Sequence, residues 1–190
     1  MSIGIRWITP AAAGFLVACG APGHWQGAGA EKMYDQNLEA QRATAVLNND
    51  DYYEIHKDGR IYVIADAGDL REFLGNGELP LRVTRIGGGP RGETLVFGIA
   101  RPESKKKEGF GAVEMYDGKR EGARKDFYAE VCRDNQCYVF GNWADLDAFR
   151  KSGDASSLSK ADITGPAGEA VMVAQPAEAL VERFKAVHAQ

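Results

Sequence analysis

The stretch that decides the fold is YYEIHKDGRIYVIADAGDLREF, residues 52–73, because the chain carries it twice. At an offset of 76 it falls on YAEVCRDNQCYVFGNWADLDAF (128–149), and further on GPRGETLVF (89–97) falls on GPAGEAVMV (165–173). The identities include Tyr52/Tyr128, Glu54/Glu130, Asp58/Asp134, Tyr62/Tyr138, Asp69/Asp145, Leu70/Leu146 and Phe73/Phe149. Between these blocks Leu81 and Ile86 match Leu158 and Ile163 at an offset of 77, so the spacing predicts a one-residue insertion compensated at Gly87-Gly88-Gly89. Two copies predict a pseudo-symmetric pair rather than a solenoid, which needs about three repeats to bury a continuous core.

Each copy reads the same way. It opens with a hairpin whose turn is Asp58-Gly59 or Asp134-Asn135, residue pairs that tolerate the positive φ angles of a type I′ turn. A short helix follows, with Asp66 or Asn142 as N-cap and Leu70/Phe73/Leu74 or Leu146/Phe149 on one face. Two further extended runs meet at Gly-Pro-x-Gly, a turn signal. At the end, PAEALVERFKAVHAQ sets Ala177, Leu180, Val181, Phe184 and Val187 at helical spacing. The expected fold is therefore α+β: two tandem ββαββ units with antiparallel sheet and short helices, plus a C-terminal helix. The expected boundaries are 33–101 for the first unit, 102–114 for a linker, 115–175 for the second unit and 176–190 for the helix. MYD at 33–35 and again at 115–117 marks the start of each unit.

Upstream, Arg6 precedes an uncharged run from Trp7 to Ala18 that ends in small residues, the pattern of a secretory signal at 1–18. Leu16-Val17-Ala18-Cys19 resembles the lipobox of bacterial lipoproteins. That resemblance implies cleavage before Cys19, acylation of Cys19 with palmitate among its chains, and attachment to the membrane through that N-terminal lipid. An ordinary signal peptide and an apolar N-terminal helix are the alternative readings. Gly20, rather than Asp, at the next position implies, by the same analogy and for a Gram-negative host, an outer-membrane lipoprotein facing the periplasm. The Gly- and Ala-rich segment 19–32 reads as a flexible tether.

Composition narrows the function classes. With 44% hydrophobic and 26% charged residues the chain is that of a folded protein, and a net charge of −4 removes the electrostatic reason to expect nucleic-acid binding. The one basic run, Lys105-Lys106-Lys107, lies beside Pro and Gly and reads as solvated linker.

The hairpin register places Cys132 opposite Cys137, in the non-hydrogen-bonded pair where opposed Cα atoms lie about 4.5 Å apart, within reach of a disulfide. An oxidising compartment would preserve such a bond. Four zinc ligands are not available from three cysteines, one of them in the lipobox, and histidines at 24, 56 and 188. The same register puts Val131, Tyr138, Ile55 and Tyr62 on the core face. It puts Cys132/Cys137, Glu54 and Glu130 on the opposite face, so the staple is expected outside the main core.

Candidate chemistry is sparse. No nucleophile motif and no phosphate loop is present. Glu93 and Glu169 recur by pseudo-symmetry and would form an acid–base or cation-binding pair if the copies met there; alternatively each caps its own turn. His56 is the third candidate binding residue, with a plain surface role as its alternative. GRIYVIADAGDLREF and QCYVFGNWADLDAF resemble the hairpin-then-helix stretch of the YHS family of small metal-associated domains. The cysteines that carry metal chemistry in that family are missing after Tyr62 and Tyr138, so the resemblance implies local fold and no metal or other cofactor is expected. The expected function is a non-catalytic envelope interaction or ligand-binding module with an envelope protein as candidate partner. The alternative is a hydrolase or metal-dependent enzyme using Glu93 and Glu169 at the repeat interface.

Overall fold

The computed structural model describes residues 50–123 and 125–189; the signal segment, Cys19, the tether and the first MYD lie outside the described residues. The first hairpin is β1 (Tyr52–Lys57) and β2 (Arg60–Ile64), the second β5 (Ala129–Arg133) and β6 (Gln136–Phe140). Both turns take the mirror-image geometry their residues favour: φ is 51° at Asp58, 70° at Gly59, 53° at Asp134 and 61° at Asn135. Helices α1 (Ala67–Asn76) and α3 (Trp143–Ser152) follow. Asp66 Oδ1 accepts from the Asp69 N–H and Asn142 Oδ1 from the Asp145 N–H, at 3.0 and 2.9 Å. Gly77 and Gly153 end the two helices in the left-handed conformation, with φ of 74° and 71°.

The remaining strands are β3 (Arg82–Arg85) and β4 (Thr94–Gly98) in the first copy, β7 (Ser159–Thr164) and β8 (Ala170–Val173) in the second. The two Gly-Pro-x-Gly turns close identically. Gly89 N–H donates to Glu93 O and Gly92 N–H to Gly89 O; Gly165 N–H donates to Glu169 O and Gly168 N–H to Gly165 O. The copies differ in the strand before: the pairing of β7 with β8 shifts register between Lys160 and Thr164, whereas β3 runs without interruption. Four residue steps along β7, from Lys160 to Thr164, thus span two along β8, from Met172 to Ala170.

The eight strands form one mixed sheet in the order β3-β4-β2-β1-β5-β6-β8-β7. This corrects the expectation of two separate antiparallel units. β1 pairs with β5 in parallel, as do β2 with β4 and β6 with β8; only the hairpin partners and the β3/β4 and β7/β8 pairs are antiparallel. Tyr52 stands beside Ala129 and Tyr53 beside Glu130, a one-residue stagger that sends equivalent side chains of the two copies to opposite faces. The copies are therefore related by a pseudo-two-fold axis in the plane of the sheet, parallel to the strands.

Each face then carries one helix from each copy. α1 packs over Tyr62 on the same face as α4 (Ala177–His188), and α3 packs over Tyr138 on the other face with α2 (Gly111–Tyr116). The segment expected as a bare linker contains a 3-10 turn (Arg101–Glu103) and most of α2. Met115, Tyr116 and Asp117 close that helix rather than opening the second copy, and Tyr116 packs on Phe97 of the first. α4 forms as the spacing predicts, with Leu180, Phe184 and Val187 buried.

Helices on both faces leave no outer surface to the central strands, as in parallel sheets generally. Tyr52, Tyr53, Tyr128, Val63 and Val139 are all fully buried. The staple expected outside the core is inside it: Cys132 and Cys137 face each other in the predicted register with Cα atoms 4.1 Å apart and their sulfurs at disulfide distance, beneath α4. Among the described residues no helix is long and apolar enough to cross a membrane.

Candidate functional site

Glu93 and Glu169 do not meet. They immediately precede β4 and β8, and β2, β1, β5 and β6 lie between those strands. Five inter-strand spacings put about 24 Å between the strands. Each carboxylate instead folds back over its own turn. Glu93 Oε2 accepts from the Arg91 N–H at 2.8 Å and Oε1 from the Arg91 side chain at 2.7 Å; Glu169 Oε2 accepts from the Ala167 N–H at 2.8 Å. The Arg91 side chain, with the Glu93 and Arg91 backbone N–H groups, holds the Glu93 carboxyl down to about 2. Gly89 and Gly165 make room for this: a Cβ there would lie 2.7 Å from Glu93 Oε2 and 2.5 Å from Glu169 Oε2.

His56 is the half-buried partner of a buried carboxylate. Its Nε2 lies 2.7 Å from Glu54 Oε1, and the Tyr52 hydroxyl donates to Glu54 Oε2 at 2.5 Å. Arg150, from α3, passes its guanidinium over the Tyr52 ring at 5.1 Å and the Tyr116 ring at 4.7 Å and reaches Glu54 at 3.4 Å. Burial pushes the Glu54 carboxyl up, but hydrogen bonds from His56 and Tyr52 and the charge of Arg150 outweigh it and leave it below its ordinary value.

The second copy builds the counterpart on the opposite face. The Tyr128 hydroxyl donates to Glu130 Oε1 at 2.5 Å, and Arg183 lies over the Tyr128 ring at 5.1 Å. The position of His56 is taken here by Cys132, and the histidine comes instead from the end of α4: His188 Nε2 lies 2.9 Å from Glu130 Oε2. Beside it Asp51 accepts from the Tyr128 N–H at 3.0 Å, from Arg183 at 3.2 and 3.3 Å and from the Tyr53 hydroxyl at 3.3 Å. Burial pushes the Asp51 carboxyl up to about 7 against the pull of Arg183 and those donors. Both networks satisfy buried carboxylates within the core, so their role is to tie the helices to the sheet. The sequence signal for them was the Tyr-x-Glu kept in both copies.

An open groove of about 430 Å³ lies at the outer wing of the first copy. Its floor is the face of β2, β4 and β3 that carries Tyr62, Val96, Thr94 and Thr84, and its rim holds Arg60, Arg82, Glu78 and Ile86. Arg82 is held at one end by the Leu79 carbonyl, 2.7 Å from Nη1, and Arg60 Nη1 reaches the Tyr62 hydroxyl at 3.5 Å, leaving further guanidinium N–H groups on both to face solvent. In the second copy Arg133 covers the matching aromatic pair, 4.8 Å over Phe149 and 5.9 Å over Tyr138, whereas Lys57, its counterpart, is exposed.

The lining contains no serine, cysteine or histidine, a single carboxylate, Glu78, and the hydroxyls of Tyr62, Thr84 and Thr94. What it can do is hold an anionic group between two arginines over an apolar and hydroxylic floor. Sequence reading missed these residues; the signal lay in where the copies part, Arg60 against Gln136 and Thr94 against Ala170. Among the described residues no cluster of three or more His, Cys, Asp or Glu is placed to hold a metal ion. Comparison of the chain with protein-family models, curated proteins and solved structures finds no match.

Proposed function

We propose that the protein is a bacterial envelope lipoprotein, lipidated at Cys19 and facing the periplasm from the outer membrane, whose globule is a non-catalytic binding module. The observation that carries the binding reading is the open groove at the wing of the first copy, rimmed by Arg60 and Arg82 over an apolar and hydroxylic floor. The cysteine pair at disulfide distance supports an oxidising compartment, and the lipobox residues support the anchor. No observation favours an enzyme built on Glu93 and Glu169, since each caps its own turn. The test has two arms. Metabolic palmitate labelling should mark the wild-type chain and vanish in Cys19→Ala; a persistent label removes the anchor. Crosslinking in intact envelopes from the groove rim should capture a specific partner, and an equal yield from the exposed surface of α3 removes the groove as the binding face.

A further inference from the structure

We propose that β3 is a strand-addition site for an extended, acidic segment of a partner protein, an inference that rests on the binding reading above. β3 is the terminal strand of the sheet. The Ile99 N–H donates to the Leu81 carbonyl at 2.9 Å, which fixes Leu81, Val83 and Arg85 as the residues whose backbone polar groups turn toward β4. Arg82 and Thr84 turn theirs outward, a row of two donors and two acceptors with no strand beyond it among the described residues.

Two further observations at this edge point to a polypeptide. The exposed large hydrophobic side chains among the described residues are Leu81, 39% exposed, and Ile86, 90% exposed, and they bracket β3 at its two ends. Hollows lie on both sides of the strand: the groove on one face, and on the other a depression of about 510 Å³ lined by Val83, Phe110 and Val113 and by charged residues of both signs. An added strand drops alternate side chains to the two faces of a sheet, so it would reach both hollows at once.

Charge selects the partner. On the groove side Arg60 and Arg82 have no carboxylate at ion-pair distance among the described residues. On the other side Arg85, Lys107 and Lys119 stand among Asp117, Glu108 and Glu114, so the acidic side chains of the partner belong over the groove and its apolar ones over Val83, Phe110 and Val113. A second copy of this chain is a poor occupant, because β3 laid on β3 brings together two strands that each carry Arg82 and Arg85 and no carboxylate. The opposite edge of the sheet is protected differently: β7 breaks register between Lys160 and Thr164, which blunts continued pairing. An extended segment alternating acidic and apolar residues satisfies the edge, the hollows and the charge together.

The test uses the full chain, purified in detergent, and an acetylated, amidated octapeptide of alternating glutamate and valine. Binding should slow hydrogen exchange at the Arg82 and Thr84 amides about tenfold, and should weaken about tenfold when salt is raised from low to several times physiological strength. The same peptide N-methylated at alternate residues cannot complete the ladder and should not bind, nor should an octapeptide of alternating lysine and valine. Thr84→Pro, which removes one outward donor from an edge strand, should abolish binding with the fold retained. Absence of protection at Arg82 and Thr84, equal binding of the N-methylated peptide, or protection along β7 instead would overturn the inference. Capture of a partner from the groove rim in the envelope experiment would survive any of these results, so the two readings fail separately.

Discussion

Removing the hydroxyl of Tyr52 probes the buried network of the first copy with little change of shape. Tyr52 is fully buried and packs edge-on against Trp143 at 6.2 Å, so Tyr52→Phe keeps the ring contacts and deletes one donor to Glu54. A hydrogen bond to a charged acceptor is worth about 1.5–3 kcal/mol net. Glu54 keeps His56 on one oxygen and Arg150 near the other, so the expected loss is about 2 kcal/mol at pH 7. The pH dependence follows from the lowered Glu54 carboxyl. A folded-state value below the unfolded 4.5 means that the stabilisation is present above 4.5 and is lost as pH falls through the folded value. The cost of Tyr52→Phe should therefore shrink under acid conditions, as the carboxylate it served is protonated. Urea unfolding followed by circular dichroism at neutral and acid pH measures both. In a double-mutant cycle with Glu54→Gln, which keeps an acceptor but not the charge, the coupling at neutral pH should be about 1 kcal/mol. A cost independent of pH, or additivity within about 0.5 kcal/mol, would refute the charge-assisted bond.

Two other titration and stability outcomes are expected. Asp51 behaves oppositely to Glu54: its folded value of about 7 exceeds the unfolded 3.8, so its contribution is full below 3.8 and is lost as pH rises through 7. Asp51→Asn should remove a decline of up to about 1.4 kcal/mol per pH unit across that window, read from urea midpoints against pH. Reduction, or Cys132→Ala with Cys137→Ala, should cost about 2 kcal/mol, since the closed loop is short; the shift in thermal midpoint reports it, and unchanged midpoints with two titratable thiols in the untreated protein would show that the cysteines are not joined.

The parts of the fold written in local chemistry were legible because they were written twice. Asp58-Gly59 and Asp134-Asn135 announce their turns, and Asp66 and Asn142 their helix starts. What could not be read was pairing across distance: the parallel contacts of β1 with β5, β2 with β4 and β6 with β8 depend on residues far apart, and alternation along one strand does not specify its neighbour. That gap caused the misplacement of the staple. Glu54 and Glu130 read as a water-facing side because a carboxylate between apolar residues ordinarily faces water, yet helices cover both sides and each Glu is met by a tyrosine, a histidine and a nearby arginine. α2 escaped notice because six residues after a glycine- and lysine-rich stretch carry too little periodicity to register.

The axis between β1 and β5 has a bearing on ancestry and on engineering alike. A single copy of the repeat, expressed alone, would leave β1 as a bare edge and each of its helices without the neighbour that shares its layer. The same axis offers that lone copy a remedy, a self-complementary dimer in which two identical strands lie side by side in parallel. The duplicated gene then reads as such a dimer made covalent, and fusion released its halves from identity. One half carries a cysteine where the other carries a histidine and takes its histidine from the C-terminal helix, while the other half has an uncovered wing.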